Sequence, residues 1–333
     1  MEGPTSGCSR LMRLSAHVVG GSLCAGDAVG NDCSSLAAGC SSGVDGNSQA
    51  LATALASFRE RGFLLMDGLL SGSSVFLRAQ AAYRSLRPEF VKMFNADSQV
   101  LNCPAALEKD VALIELIEAP ELLPIMAGIV GDDVQIREFA LQAYPPQDPQ
   151  VVQDSGGYTG WHRDRPAFMH PRLSLFTKMF IYMNDIGPRG GCTALVPGSH
   201  RWAEAPKKAD FKGWGGDKEQ DEMEGVERQS ACAGSVLFFD SRAHHTAMAN
   251  ESSVERQLMI VNLCPFWHKQ FGPVIDGARR LDERGVLNTP LRRQLFGLEL
   301  AGDVVEGLSG VGTSQGAAGT NPYREGYTKP GYW

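Results

Sequence analysis

The chain has 333 residues, 43% of them hydrophobic and 21% charged, with a formal net charge of -7 and a pI near 5.6. That length suits one large domain or two small ones, and the acidic balance gives no general attraction to a phosphate backbone, so nucleic acid is not an expected partner. No stretch reaches the roughly 18 uninterrupted apolar residues of a membrane span, so no membrane partner is expected either. None of the cysteines forms a C-x-x-C pair, and free thiols in a reducing compartment are expected.

Residues 1–50 are dominated by Gly, Ser, Ala and Cys without apolar periodicity, the composition of a disordered or targeting leader. The run Leu23 to Val29 is interrupted by Asp27 and is too short for a secretory core, so secretion is not expected. Arg10-Leu11, five residues, then His17-Val18 resembles the amino-terminal peroxisomal targeting nonapeptide, with Val18 where that signal has Leu or Ala. The expected location is the cytoplasm, with the peroxisome as the alternative.

The predicted domain spans 51–270. It opens with a helix from Ser48 closed by Gly62 and a strand at Phe63 to Met66. Val75 to Ala96 and Ala106 to Ile129 carry helical spacing of apolar residues, the second broken at Pro120 and Pro124 into two helices. The period then changes to that of strands, at Val134 to Tyr144, Leu173 to Asn184, Thr193 to Val196, Ser235 to Phe239 and Arg256 to Leu263. Helices followed by short strands predict an α+β fold with a mainly β core, a double-stranded β-helix (jelly roll, cupin-like) buttressed by amino-terminal helices. Residues 271–333 read as a carboxy-terminal extension with one short helix, Pro290 to Phe296.

The strongest local signal is Gly160-Trp161-His162-Arg163-Asp164. Residues i and i+2 of a strand point the same way, so His162 and Asp164 can bind one ion. A second histidine, with His245 the choice, would complete a 2-His-1-carboxylate triad that leaves open positions on iron for a chelating co-substrate and oxygen. Arg256 supplies a guanidinium able to grip a remote carboxylate, such as that of 2-oxoglutarate, in bidentate fashion.

His162-x-Asp164, then Gly190-Gly191-Cys192, Val196-Pro197-Gly198-Ser199-His200, Gly234 to Phe239, His245, Asn250-Glu251-Ser252 and Arg256 form an ordered set. It resembles the phytanoyl-CoA dioxygenase family of iron oxygenases, from about Phe58 to about Leu263. The resemblance implies Fe(II) held by His162, Asp164 and His245, and its spacing selects His245 over the adjacent His244. It implies 2-oxoglutarate anchored by Arg256, with Gln142, Phe180 and Thr246 as further co-substrate contacts; the Ser often found two residues after the distal histidine is Ala247 here. Trp161, Arg163 and Lys178 are candidate substrate contacts, and His200 reads as structural or substrate-facing.

The reaction so implied takes Fe(II), 2-oxoglutarate and O2, with ascorbate supportive, and oxidises a C–H bond of a small molecule or acyl-CoA with release of succinate and CO2. Asp164 disfavours halogenation, because related halogenases lack the carboxylate. Two alternatives are a silent jelly-roll binding protein, which has no need of the four residues together, and a cupin-type metalloenzyme independent of 2-oxoglutarate, which has no need of Arg256.

Overall fold

A computed structural model describes residues 44–93, 100–148, 161–164, 174–203 and 225–299. The peroxisome-like motif, Gly160 and the Gly-rich end lie outside the described residues. No described helix is long and apolar enough to cross a membrane.

Helix α1 (Val44–Arg61) is followed by β1 (Phe63–Met66). Gly62 between them has a φ of 83°, and a Cβ there would lie 2.3 Å from Nδ1 of His200, so only glycine both ends the helix and admits that ring. Helix α2 (Ser74–Leu86) is capped by the Ser73 side chain, which accepts from the Phe76 N–H, and buries Phe76, Ala79, Tyr83 and Leu86 along one face. The apolar spacing predicted this helix as far as Ala96, but it stops at Leu86. Pro88 lies in a short 3₁₀ turn, Arg87–Glu89, where its ring removes an N–H that a continuing α-helix would need. Two-residue strands β2 (Val91–Lys92) and β3 (Leu101–Asn102) follow, then α3 (Val111–Ile117) and α4 (Leu123–Val130). The break at Pro120 and the start at Pro124, which sits in the first turn of α4, match the expectation of two helices.

The strands β4 (Gln135–Tyr144), β5 (Thr177–Tyr182), β6 (Thr193–Leu195), β7 (Glu227–Gln229), β8 (Val236–Asp240), β9 (His245–Ala247) and β10 (Arg256–Cys264) complete the β core. They form a seven-stranded sheet, β1-β8-β5-β10-β4-β3-β2, and a three-stranded one, β7-β6-β9. An isolated antiparallel bridge, His162 with His245, joins the segment 161–164 to the edge strand β9. Period-two alternation divides the large sheet into two faces. Leu141, Ala143, Met179, Ile181, Met259 and Val261 pack outward into one core with α2, α3 and α4. Ala140, Phe180, Leu237, Phe239, Leu258 and Ile260 pack inward with Ala194 and Leu195 of the small sheet. The result is the jelly roll backed by helices that the element order implied.

The extension beyond residue 270 holds two described helices rather than one. Besides α6 (Pro290–Leu295) there is α5 (Gly272–Glu283), which buries Val274, Gly277, Ala278 and Leu281. That spacing of i, i+3, i+4 and i+7 is helical. Pro273 occupies the first turn of α5.

Candidate metal centre

His162 and His245 face each other across two backbone hydrogen bonds, His162 N–H to His245 O at 2.9 Å and His245 N–H to His162 O at 3.0 Å. Asp164 N–H donates to Ser241 O at 2.9 Å, which holds the segment straight for one further pair. Alternation then points His162 and Asp164 to one side and Trp161 and Arg163 to the other. The two histidine rings lie 4.4 Å apart between centroids. Nε2 of His162 is 3.5 Å from Asp164 Oδ1, and Nε2 of His245 is 3.2 Å from Asp164 Oδ2. The three ligand atoms all fall within 4.8 Å of one another, close enough to hold one metal ion.

His245 Nδ1 lies 3.0 Å from the Ala243 carbonyl. That bond fixes the tautomer with Nδ1 protonated and leaves the lone pair of Nε2 directed at Asp164. Phe239 packs edge-on against the His245 ring at 4.8 Å. Burial lowers the pKa of His245, an effect that Asp164 partly opposes, so the ring is held in the neutral form that ligates. Burial alone would raise the carboxyl of Asp164. The surrounding imidazoles and the Lys178 ammonium outweigh it and hold the group well below the usual carboxylate range.

Lys178 makes the shortest ion-pair contact to this carboxylate, Nζ lying 2.8 Å from Oδ2. The residue expected to meet substrate thus holds a ligand in orientation while also lining the cavity. Trp161 and Arg163 do not line it. The Trp161 ring stacks on His244 at 5.5 Å and 14°, and Arg163 Nη2 donates to Ser199 O at 2.8 Å. His244 points away from the metal ligands, and burial, with Arg163 and the other two histidines adding to it, lowers its pKa to about 4. His200 is structural, its Nε2 3.1 Å from the Arg59 carbonyl.

A cavity of about 590 Å³ runs between the sheets over the three ligands. Arg256, the first residue of β10, stands at one end with 1% of its surface exposed. Its guanidinium donates to the Gly191 carbonyl and to Thr193 Oγ1, the latter at 2.7 Å, and its carbon lies 4.9 Å from the Tyr144 ring centroid. Nε has no acceptor among the described residues, and no described carboxylate forms an ion pair with it. A buried cation without a counter-charge is costly, so this position could receive an anion.

Gln142 and Phe180 also line the cavity, Gln142 accepting from the Tyr144 hydroxyl at 2.6 Å. Thr246 does not. It alternates with His245 and Ala247, and its hydroxyl donates to the Ala247 carbonyl at 3.2 Å. The hydroxyl beside Arg256 comes instead from Thr193 on β6, a contact set by the pairing of strands and unreadable from spacing. Tyr144, against the Arg256 guanidinium, was not among the expected site residues, although it alternates with Gln142 on β4.

An uncharacterized protein of Mycobacterium tuberculosis is 28% identical over 192 residues, 56% of this chain and 63% of its own length. The chain thus spans under two thirds of that relative. A protein of Stutzerimonas stutzeri named a probable alpha-ketoglutarate-dependent hypophosphite dioxygenase is 21% identical over 160 residues, 45% of this chain and 52% of its own. Among solved structures, the epimerase SnoN in complex with Fe3+, alpha ketoglutarate and nogalamycin RO is alike in fold, with a TM-score of 0.50 and 19% identity over 66% of this chain and 84% of that one. The sequence profile of phytanoyl-CoA dioxygenase (PhyH) matches residues 58–258, a stretch that holds all three clustered ligands and Arg256; the chain belongs to that family.

Proposed function

We propose that the protein is an Fe(II)- and 2-oxoglutarate-dependent oxygenase, its catalytic domain within residues 51–270, that oxidises a C–H bond of a small molecule. The observation that carries this is Arg256, a buried guanidinium without a carboxylate partner among the described residues, in the same cavity as His162, Asp164 and His245. The two histidines and Asp164 fit iron, because two neutral imidazoles and one carboxylate satisfy three positions and leave the others open. Bound iron would supply oxygen activation coupled to decarboxylation, so that 2-oxoglutarate, O2 and R–H give succinate, CO2 and R–OH.

The chain's own residues do the positioning. Arg256 and Thr193 take the far carboxylate of 2-oxoglutarate, and Tyr144 covers the guanidinium face. Lys178 keeps Asp164 ionised and turned toward the histidines. Phe180 and Phe239, packed edge to face at 5.0 Å, exclude water beside them. The protein acts in the cytoplasm, with the peroxisome as alternative; a fluorescent fusion carrying residues 1–20 distinguishes them.

The test is succinate formation under Fe(II), ascorbate and 2-oxoglutarate across a panel of small molecules and acyl-CoAs, with two variants. Asp164→Ala removes the anionic ligand, so turnover collapses and added 2-oxoglutarate does not restore it. Arg256→Ala loses a buried charge-assisted pair worth about 2 to 5 kcal/mol, so the apparent constant for 2-oxoglutarate rises more than tenfold while turnover survives at high concentration. Unchanged 2-oxoglutarate dependence in Arg256→Ala removes the co-substrate from this reading, and full activity in Asp164→Ala removes the metal.

A further inference from the structure

The cavity has a second buried guanidinium, at the end away from Arg256. From Arg256 opposite Tyr144 to Asn262 opposite Glu138, β10 and β4 pair in constant register; the register then shifts, and Leu263 pairs with Ile136. Arg137 is the extra residue of the resulting bulge. A bulge reverses the alternation of faces beyond it. Accordingly Ile136 joins the outer core, while Arg137 turns into the cavity beside Glu138.

Arg137 is 8% exposed, and its guanidinium carbon lies 4.3 Å from the Phe176 ring centroid and 3.8 Å from that of Phe271. Its Nε has no acceptor among the described residues. Glu138, its chain neighbour, offers one oxygen at 3.5 Å from Nη1, and that oxygen already accepts from Asn262 Nδ2 at 2.7 Å. One shared oxygen does not saturate a fork of five N–H donors. Burial lowers the pKa of the guanidinium more than Glu138 raises it, a sign that the charge is under-compensated.

Position gives the group its use. Asn262 lies six positions beyond Arg256 on β10, about 20 Å along the strand. Lys178, which meets Asp164, lies on the Asn262 rung, so Asp164 stands toward the Arg137 end of the cavity that all three metal ligands line. On the sheet face, the rung of Ala140, Ile260 and Phe180 between the two guanidinium groups is apolar. A neighbouring cavity of about 340 Å³ shares Met93, Glu138, Ala140 and Phe271 with the first and adds apolar room.

We propose that Arg137 is a specificity residue that binds the carboxylate or phosphate of an amphiphilic substrate, whose apolar body lies along Phe180 and Ile260 with its reacting C–H toward the metal ligands. That the anion belongs to a substrate rests on the oxygenase reading above. The rival role, tethering α5, is separable, because the Phe271 N–H donates at 3.0 Å to the backbone carbonyl of Arg137, which substitution leaves in place.

The experiment is calorimetric titration of the anaerobic Fe(II)-loaded protein, saturated with 2-oxoglutarate, with hexanoate, hexyl phosphate and neutral hexanamide. At least one anion should bind tenfold or more tightly than the amide, and which one does so separates carboxylate from phosphate recognition. Arg137→Met should remove that preference while leaving the amide affinity unchanged, and Arg137→Lys should restore part of it. Arg137→Gln, which keeps polar donors without charge, is read in the same way should the methionine variant fold poorly. Equal affinities, no binding by any probe, or a preference that survives both neutral variants would overturn the proposal. Binding of 2-oxoglutarate is measured first; its absence counts against the oxygenase reading alone, and the same anion titration without it still reports on Arg137.

Discussion

Two adjacent histidines on β9 and the turn before it show how far one position matters. His245 points its Nε2 at Asp164, whereas His244 stacks on Trp161 on the opposite side of the strand. Both are 4% exposed, so burial does not distinguish them; direction does. His245→Ala should therefore lose equilibrium Fe(II) binding, measured as metal retained after anaerobic gel filtration. His244→Ala should retain the metal but lose about 1 to 3 kcal/mol of stability, as expected when a buried, packed ring is cut back, and His244→Phe should recover part of that by keeping the stack. Metal loss in His244→Ala with retention in His245→Ala would reverse the assignment.

Elements here depend on a few places where backbone meets backbone. Gly234, ahead of β8, has a φ of 86°, and a Cβ on it would come within 2.6 Å of the Ser71 nitrogen and 2.8 Å of its Cα. Backbone cannot swing aside as a side-chain end can, so Gly234→Ala combines left-handed strain with a clash and should cost about 2 to 4 kcal/mol in denaturant unfolding. Gly72 is the control. Its φ is 75° with nothing within 4 Å of a Cβ, so Gly72→Ala should cost only about 1 kcal/mol. Equal losses at the two sites would show that the clash is relieved by movement. The alternation of Val134 to Tyr144 made β4 legible from the sequence, because a period of two is a local property. The bulge at Arg137 was not, since it exists only through the pairing with Asn262 and Leu263. The same distinction runs through the site: His162-x-Asp164 could be read from spacing, whereas Thr193 beside Arg256 and the outward turn of Thr246 depend on which strands become neighbours. Strand β9 is three residues long and was found only through the histidine it carries.

At the scale of the whole molecule, the site joins parts of the chain far apart in sequence: the ligands His162 and Asp164 come from one segment and His245 from β9, with Lys178 of β5 set against Asp164. An ion bound by the folded state alone shifts unfolding by mass action, about 2.7 kcal/mol at a hundred times its dissociation constant. For a domain of this size that amounts to a rise of roughly 5 to 10 °C in the melting temperature. Calorimetry under argon should show this rise with Fe(II), a further rise when 2-oxoglutarate is added, and little with 2-oxoglutarate alone. A full shift from 2-oxoglutarate in chelator-treated protein would mean that the co-substrate binds independently of the metal.

The bulge that turns Arg137 inward has a price beyond specificity. A protein under selection for durability alone gains by replacing an under-compensated interior charge with an apolar chain of similar length, a change that is commonly neutral or stabilising. Arg137→Met should accordingly melt at the same temperature as the parent or higher when no anion is present, with the sulfur settling against Phe176 and Phe271. A drop of several degrees would identify the guanidinium as a structural rivet. With the predicted outcome, the folded state tolerates a misfit that only a guest can relieve, and the sequence trades robustness for selectivity at one residue.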